Sequence, residues 1–173
     1  MMKSIAALWI VACAGSTHAD KAPAEARVED RSVSIAWGPA VSDLRLGLSV
    51  DGTSVVFHLE NVGKAKLEVW SHVATHETHL DWYALQLVHN GNARELRFVD
   101  DRNRSAPIKT TLDPGAQLSH KVDVAAWAAR AANNSQPLAP GSYRATATYE
   151  VTDGPVWHGK LTSGPIALTI PTK

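Results

Sequence analysis

The residues best suited to chemistry crowd one stretch, His72-Val73-Ala74-Thr75-His76-Glu77-Thr78-His79-Leu80, with Asp81 directly after it and His89 one hairpin arm away. On a helix, offsets of four and three would turn His72, His76 and His79 to one face, a geometry that suits zinc or copper. Val73, Thr75 and Thr78 are β-branched and poor helix formers, however. In an extended chain the three imidazoles need not converge. The competing reading is a polar connection between sheets whose histidines are solvated. His76-Glu77-Thr78-His79 also fails as a zincin fragment, because that motif needs two residues between the glutamate and the second histidine.

Tryptophan is the other unusual feature. Strand alternation turns Trp70 and Trp82 away from the face that holds Leu67, Val69, Tyr83 and Leu85. An exposed pair would stack on sugar rings or anchor a protein partner. Otherwise a loop or a helix covers them, as suits large aromatics. His58 lies on a polar strand face and His120 among apolar neighbours, and both read as structural. Asp100-Asp101 with Arg102 and Arg104 reads as a charged loop rather than a catalytic dyad. The chain carries no Gly-x-Ser-x-Gly elbow, phosphate loop or dinucleotide fingerprint. Its single cysteine, Cys13, is expected to leave with an N-terminal signal peptide, so thiol catalysis is not expected.

The elements that must position these residues are short strands. From Tyr143, the residues Tyr143, Ala145, Ala147, Tyr149 and Val151 alternate with Arg144, Thr146, Thr148 and Glu150, the period of a half-buried antiparallel strand. Leu138-Ala139-Pro140-Gly141-Ser142-Tyr143 before it resembles the tyrosine corner of Greek-key sandwiches. Further alternation predicts strands over residues 32–38, 44–50, 54–60, 66–71, 81–88, 94–99, 108–112, 117–124, 156–161 and 166–170. Asp51-Gly52 and His89-Asn90-Gly91-Asn92 read as hairpin turns. Ser163-Gly164-Pro165 interrupts the last pair, as at a bulge or edge. Residues 72–80 read as a connection. The one helical signal is Val124 to Ala132, alanine-rich, with Asp123 placed to cap it and Trp127 to pack it. This pattern predicts an all-β, antiparallel immunoglobulin-like β-sandwich (Greek key) with one short helix.

The first residues read as an export address. Lys3 precedes an apolar run, Ile5 to Ala12, and Ser16-Thr17-His18-Ala19 offers a cleavage site, so residues 1–19 are expected to be a signal peptide. A second reading takes Ile10-Val11-Ala12-Cys13 as a lipobox with Cys13 as the acylated anchor. The run is too short for a bilayer span of about 20 residues, so no transmembrane segment is expected after signal removal. Residues 20–31 (DKAPAEARVEDR) read as a flexible leader and residues 32–173 as the sandwich domain. Removing 19 of 173 residues leaves 154, enough for one core without disulfides. Seventeen basic and seventeen acidic residues balance in the full chain. With no basic stripe interleaved with aromatics, nucleic acid is not an expected partner.

The order Phe57-His58-Leu59-Glu60-Asn61-Val62-Gly63, then Leu112-Asp113-Pro114-Gly115, then Pro140-Gly141-Ser142-Tyr143 resembles immunoglobulin-like domains of bacterial exported proteins. It is also similar to the bacterial intracellular proteinase inhibitor family, whose sandwiches present loops to a protease. The similarity runs from Leu44 to Val151, and the export signal departs from an intracellular inhibitor. Complete strand patterning without a catalytic constellation points to a non-enzymatic binding module held on a rigid scaffold, periplasmic or secreted and without a cofactor. It would meet another envelope or extracellular protein through the loops His72–Asp81 and Asp100–Pro107. The candidate binding residues are Trp70, His72, His76, His79, Asp81 and Trp82. Two alternatives stand beside it: periplasmic zinc or copper binding through His72, His76 and His79, and carbohydrate binding through Trp70 and Trp82.

Overall fold

Residues 34–74, 78–98, 106–132 and 135–172 are described here, from a computed structural model. They open with β1 (Ala36–Trp37), β2 (Leu44–Asp51), β3 (Ser54–Asn61), β4 (Leu67–Ala74) and β5 (Thr78–His79). Next come β6 (Tyr83–His89), β7 (Asn92–Arg97), β8 (Pro107–Leu112), β9 (Gln117–Asp123) and the helix α1 (Val124–Arg130). The strands β10 (Gly141–Val151), β11 (Gly159–Thr162) and β12 (Ile166–Ile170) complete the fold.

Every pairing between these strands is antiparallel, and the result is an all-β sandwich. One sheet runs β1-β2-β3-β9. A second runs β7-β6-β10, and the far edge of β10 is shared, β12 pairing with its first half and β11 with its second. A three-stranded sheet, β5-β4-β8, completes the set. Alternation decides which side chains leave water. Leu44, Leu46 and Leu48 of β2 and Val55, Phe57 and Leu59 of β3 are fully buried. They meet Tyr83, Leu85 and Leu87 of β6 and Ala145, Ala147 and Tyr149 of β10 in one core. Each buried leucine contributes about 2 kcal/mol by removal of apolar surface from water.

The turns follow local chemistry. Asn90 and Gly91 both have positive φ (49° and 78°) between the paired residues His89 and Asn92, the left-handed pair that a two-residue hairpin favours. In the β2–β3 hairpin the paired residues are Asp51 and Ser54, so the loop is Gly52-Thr53, one residue beyond the expected turn. Asp123 caps α1 by accepting from the Ala126 N–H at 2.8 Å, and Trp127 packs on Phe98 and Phe57. The helix stops at Arg130, two residues short of the expected end.

Three further expectations need correction. The strand expected to stop at Ser71 continues to Ala74, and Thr78–His79 returns beside it, so residues 72–80 are not simply a connection. The reason is a bulge. Trp70 pairs with Lys109 and His72 with the adjacent Ile108, which leaves Ser71 as the extra residue and re-aims the strand. The strand expected from Val156 begins only at Gly159, because Trp157 turns inward to pack on Tyr149. The first strand pairs over Ala36–Trp37 alone.

The interruption at Ser163 is satisfied by its own side chain. The Ser163 N–H donates to the Ala147 carbonyl and its hydroxyl accepts from the Ala147 N–H, each at 2.9 Å, so the hydroxyl replaces a ladder carbonyl. Gly164 N–H then donates to the Ala36 carbonyl at 3.0 Å. That bond links β1 to the segment between β11 and β12.

Candidate functional site

Two histidine clusters and one strained turn are the first places to look for polar chemistry among the described residues. The first cluster lies on the outward face of the β1-β2-β3-β9 sheet. Trp37, Gly47, His58 and Ser119 form one register row across the four strands. Gly47 leaves room for the Trp37 ring, whose atoms would lie 2.6 Å from a Cβ placed there. His58 Nε2 meets the Ser49 hydroxyl at 2.8 Å and Nδ1 meets the Ser119 hydroxyl at 2.9 Å. Arg45 lies over Trp37 at 4.3 Å and pairs with Glu60 at 2.6 Å. A serine–histidine pair works as a nucleophile when a carboxylate orients the ring and stabilises the imidazolium. Here both ring nitrogens face hydroxyls, Ser49 is fully buried, and burial lowers the His58 pKa. The arrangement braces strands.

The second cluster is half-buried, between a buried serine and two partly exposed histidines. Ser71, the bulge residue, places its hydroxyl 2.9 Å from His72 Nδ1 and 3.2 Å from His120 Nε2. The two imidazoles stand edge to face, 6.0 Å apart. Tyr83 stands against His120 at 5.9 Å, and its buried hydroxyl has no hydrogen-bond partner among the described residues. Burial, and then the facing His72, hold the His120 pKa down to about 4, and burial pushes the Tyr83 phenol well above its usual range. Ser71 is only 2% exposed, so its hydroxyl is out of reach of a substrate.

The residues proposed from sequence are distributed as follows. His72 joins this cluster, on β4. His76 and the side chain of His79 lie outside the described residues, as does most of the loop Asp100–Pro107. Among the described residues no group of three or more His, Cys, Asp or Glu side chains could hold a metal ion. Trp70 and Trp82 do come together, stacked at 5.5 Å with 16° between their planes. They are not an open pair: Trp82 is 5% exposed, and Gly154 comes against the Trp70 ring, whose nearest atom would lie 3.0 Å from a Cβ there. Asp81, half-buried, directly precedes Trp82. His120, structural by its sequence context, stands in the Ser71 cluster as well. Its apolar neighbours Leu118 and Val122 were the available signal, since they mark a histidine facing inward.

The strained turn was not legible at all. Val41 and Leu44 exchange backbone hydrogen bonds at 2.8 and 3.1 Å around Ser42 and Asp43, both with positive φ (46° and 66°). Side chains with a Cβ avoid this region, at a cost of about 1–2 kcal/mol per residue. The surroundings hold it there. The Trp157 indole N–H lies 3.2 Å from both the Val41 and the Ser42 carbonyls, and Val62 N–H donates to the Asp43 carbonyl at 2.8 Å. Gly63 leaves space for the Asp43 side chain, whose Cβ would stand 2.5 Å from a Cβ on residue 63. Val41 and Val62 are exposed (39% and 41%) at this end of the sandwich.

A shallow cleft of about 170 Å³ lies elsewhere, lined by Leu87, His89, Arg94, Pro137, Leu138 and Tyr143 among others. No helix among the described residues is long and apolar enough to cross a membrane. With the fold and these clusters in view, the chain is an antiparallel all-β sandwich. Comparison with protein-family models, with curated proteins and with solved structures found no match.

Proposed function

We propose that this chain is an exported binding module without catalytic activity of its own. In this reading it is an immunoglobulin-like sandwich that engages a protein of the envelope or the extracellular medium through loops at one end. The strand order β1-β2-β3-β9 against β7-β6-β10 supports the immunoglobulin-like reading, as does the Tyr143 hydroxyl bonded to Ala139. The observation that carries the binding reading is the turn Val41-Ser42-Asp43-Leu44. Strained backbone persists where the surroundings over-determine it, and such sites cluster at active sites, ligand clamps and switch regions. This turn is clamped by Trp157 and exposes Val41, and Val62, whose N–H bonds to the Asp43 carbonyl of the same turn, is exposed as well.

The test is affinity capture from a native envelope fraction with the exported chain as bait, followed by reconstitution with the purified partner. A Val41→Asp/Val62→Asp variant is expected to melt with the parent and to lose at least tenfold in affinity. Undiminished affinity in that variant, or catalytic turnover abolished by a single side-chain change, would overturn the proposal.

A further inference from the structure

The long edge strands differ in what guards them. β8 begins at Pro107, and β12 lies between Pro165 and Pro171; a proline offers no N–H to an added strand. β7 spends its Arg97 carbonyl on the Ala132 N–H. β9 carries neither device over its seven residues, Gln117–Asp123. The ladder shows which of its backbone groups face outward. Asn61 N–H donates to the Ala116 carbonyl at 3.1 Å and Gly115 N–H to the Asn61 carbonyl at 2.8 Å, so Asn61 and the alternate residues Leu59, Phe57 and Val55 aim their polar groups at β9. Leu118, His120 and Val122, opposite those three, aim theirs back. The N–H and C=O groups of Gln117, Ser119 and Lys121 therefore point away from the sheet, and all three residues are exposed.

We propose that β9 pairs with the β9 of a second copy of this chain, antiparallel about a two-fold axis at His120, and joins two β1-β2-β3-β9 sheets into one. The strand is self-complementary in that register. On the inner face Leu118 meets the partner's Val122; both are half-buried against the core of the single chain, and pairing covers what is left exposed. His120 meets the partner's His120, each ring turned in to its own Ser71. On the outer face Ser119 meets the partner's Lys121 and Gln117 meets the partner's Asp123, so no like charges stand opposite. Moving the axis by one residue sets Lys121 against the partner's Lys121 in one direction and Leu118 against the partner's His120 in the other. The contact uses the same edge on both copies, so it closes at two. This inference stands apart from the binding-module reading, which concerns the turn beside Val41 and Val62, and survives its failure.

The test is sedimentation of the purified chain from micromolar to millimolar concentration. A reversible dimer is expected, with amide exchange at Ser119 and Lys121 slowing as concentration rises. Lys121→Pro removes an outward donor and none aimed at β3, and should weaken the dimer at least tenfold while near-ultraviolet dichroism stays native. Ser119→Lys, which faces the partner's Lys121, should weaken it severalfold, and Ser119→Glu should tighten it. Opposed residues of such a pair lie about 5.5 Å apart at Cα, within the span of a disulfide. Ser119→Cys/Lys121→Cys in a Cys13→Ser background should therefore oxidise to a covalent dimer, and either new cysteine alone should not. The proposal is overturned by a monomer at every concentration, by a dimer indifferent to Lys121→Pro and Ser119→Lys, or by equal cross-linking through a single cysteine. Loss of the dimer in Val41→Asp/Val62→Asp would overturn it too, as would protection of Ser119 and Lys121 that appears only when an envelope extract is added.

Discussion

The Tyr143 hydroxyl donates to the carbonyl of Ala139, four residues upstream, at 2.8 Å. The bond fastens the entry of β10, the strand that carries β6 on one edge and β11 and β12 on the other. The Tyr143 ring is also stacked on His89 at 4.5 Å, whose Nδ1 donates to the Ser142 carbonyl at 2.9 Å. Tyr143→Phe keeps the ring and removes only the donor. It is expected to lower stability by about 1 kcal/mol, read as a lower denaturation midpoint at unchanged slope. An unchanged midpoint would mean the bond does not fasten the strand.

Gly38 carries the crossing of β1 and β11. A Cβ there would stand 1.7 Å from the Thr162 carbonyl oxygen, and both partners are backbone, so neither can rotate away. Gly38→Ala should cost more than the 1–3 kcal/mol typical of overpacking, roughly 3 kcal/mol or above. Amide exchange should rise first at Gly164, whose N–H bonds to Ala36. Gly52→Ala is the informative contrast, since nothing lies within 4 Å of a Cβ at Gly52 and only its positive φ is strained.

Acid should loosen the Ser71 cluster. The unfolded imidazole has a pKa of about 6.5 and folded His120 one of about 4, lowered by burial and by His72. Between those values the unfolded chain binds more protons, so stability is full above about pH 6.5 and falls as pH drops toward 4. The facing titratable groups are His72 and Tyr83, and the Tyr83 phenol stays neutral throughout. His120 is partly exposed, so solvent screening reduces the loss to about 1–2 kcal/mol. Urea denaturation at pH 7, 5 and 4 measures it. His120→Gln should flatten the profile in that window, and an unflattened profile would assign the acid loss elsewhere.

The stacked pair Trp70 and Trp82 should act as a unit. A double-mutant cycle to leucine at both positions is expected to give a coupling of about 0.5–1.5 kcal/mol. Additive effects would mean that each ring packs independently. Trp82→Leu should also expose the backbone beside it, because the Trp82 carbonyl accepts from the Glu150 N–H at 2.9 Å.

The order of strands and turns was largely legible because it is local. A period of two sorts Tyr143 to Val151 into buried and exposed residues whatever the rest of the chain does, and the Asn90-Gly91 dipeptide specifies its own turn. Asp123 announces the helix start by the same local logic. The sites were much less legible. Whether Trp70 and Trp82 would be open or covered could not be read from alternation, which gives a side but not what lies against it.

The sequence by itself determined an all-β chain, the tyrosine corner, the capped helix and the interruption at Ser163, each from propensity, period and turn chemistry within a few residues. Tertiary structure alone decided that Ser71 meets both His72 and His120, that Trp82 lies under Trp70, and that Ser42 and Asp43 are held left-handed beneath Trp157. The physical reason is register. A bulge of one residue at Ser71 chooses which side chains face one another across strands nearly fifty positions apart. Nothing in the immediate neighbourhood of either residue encodes that choice.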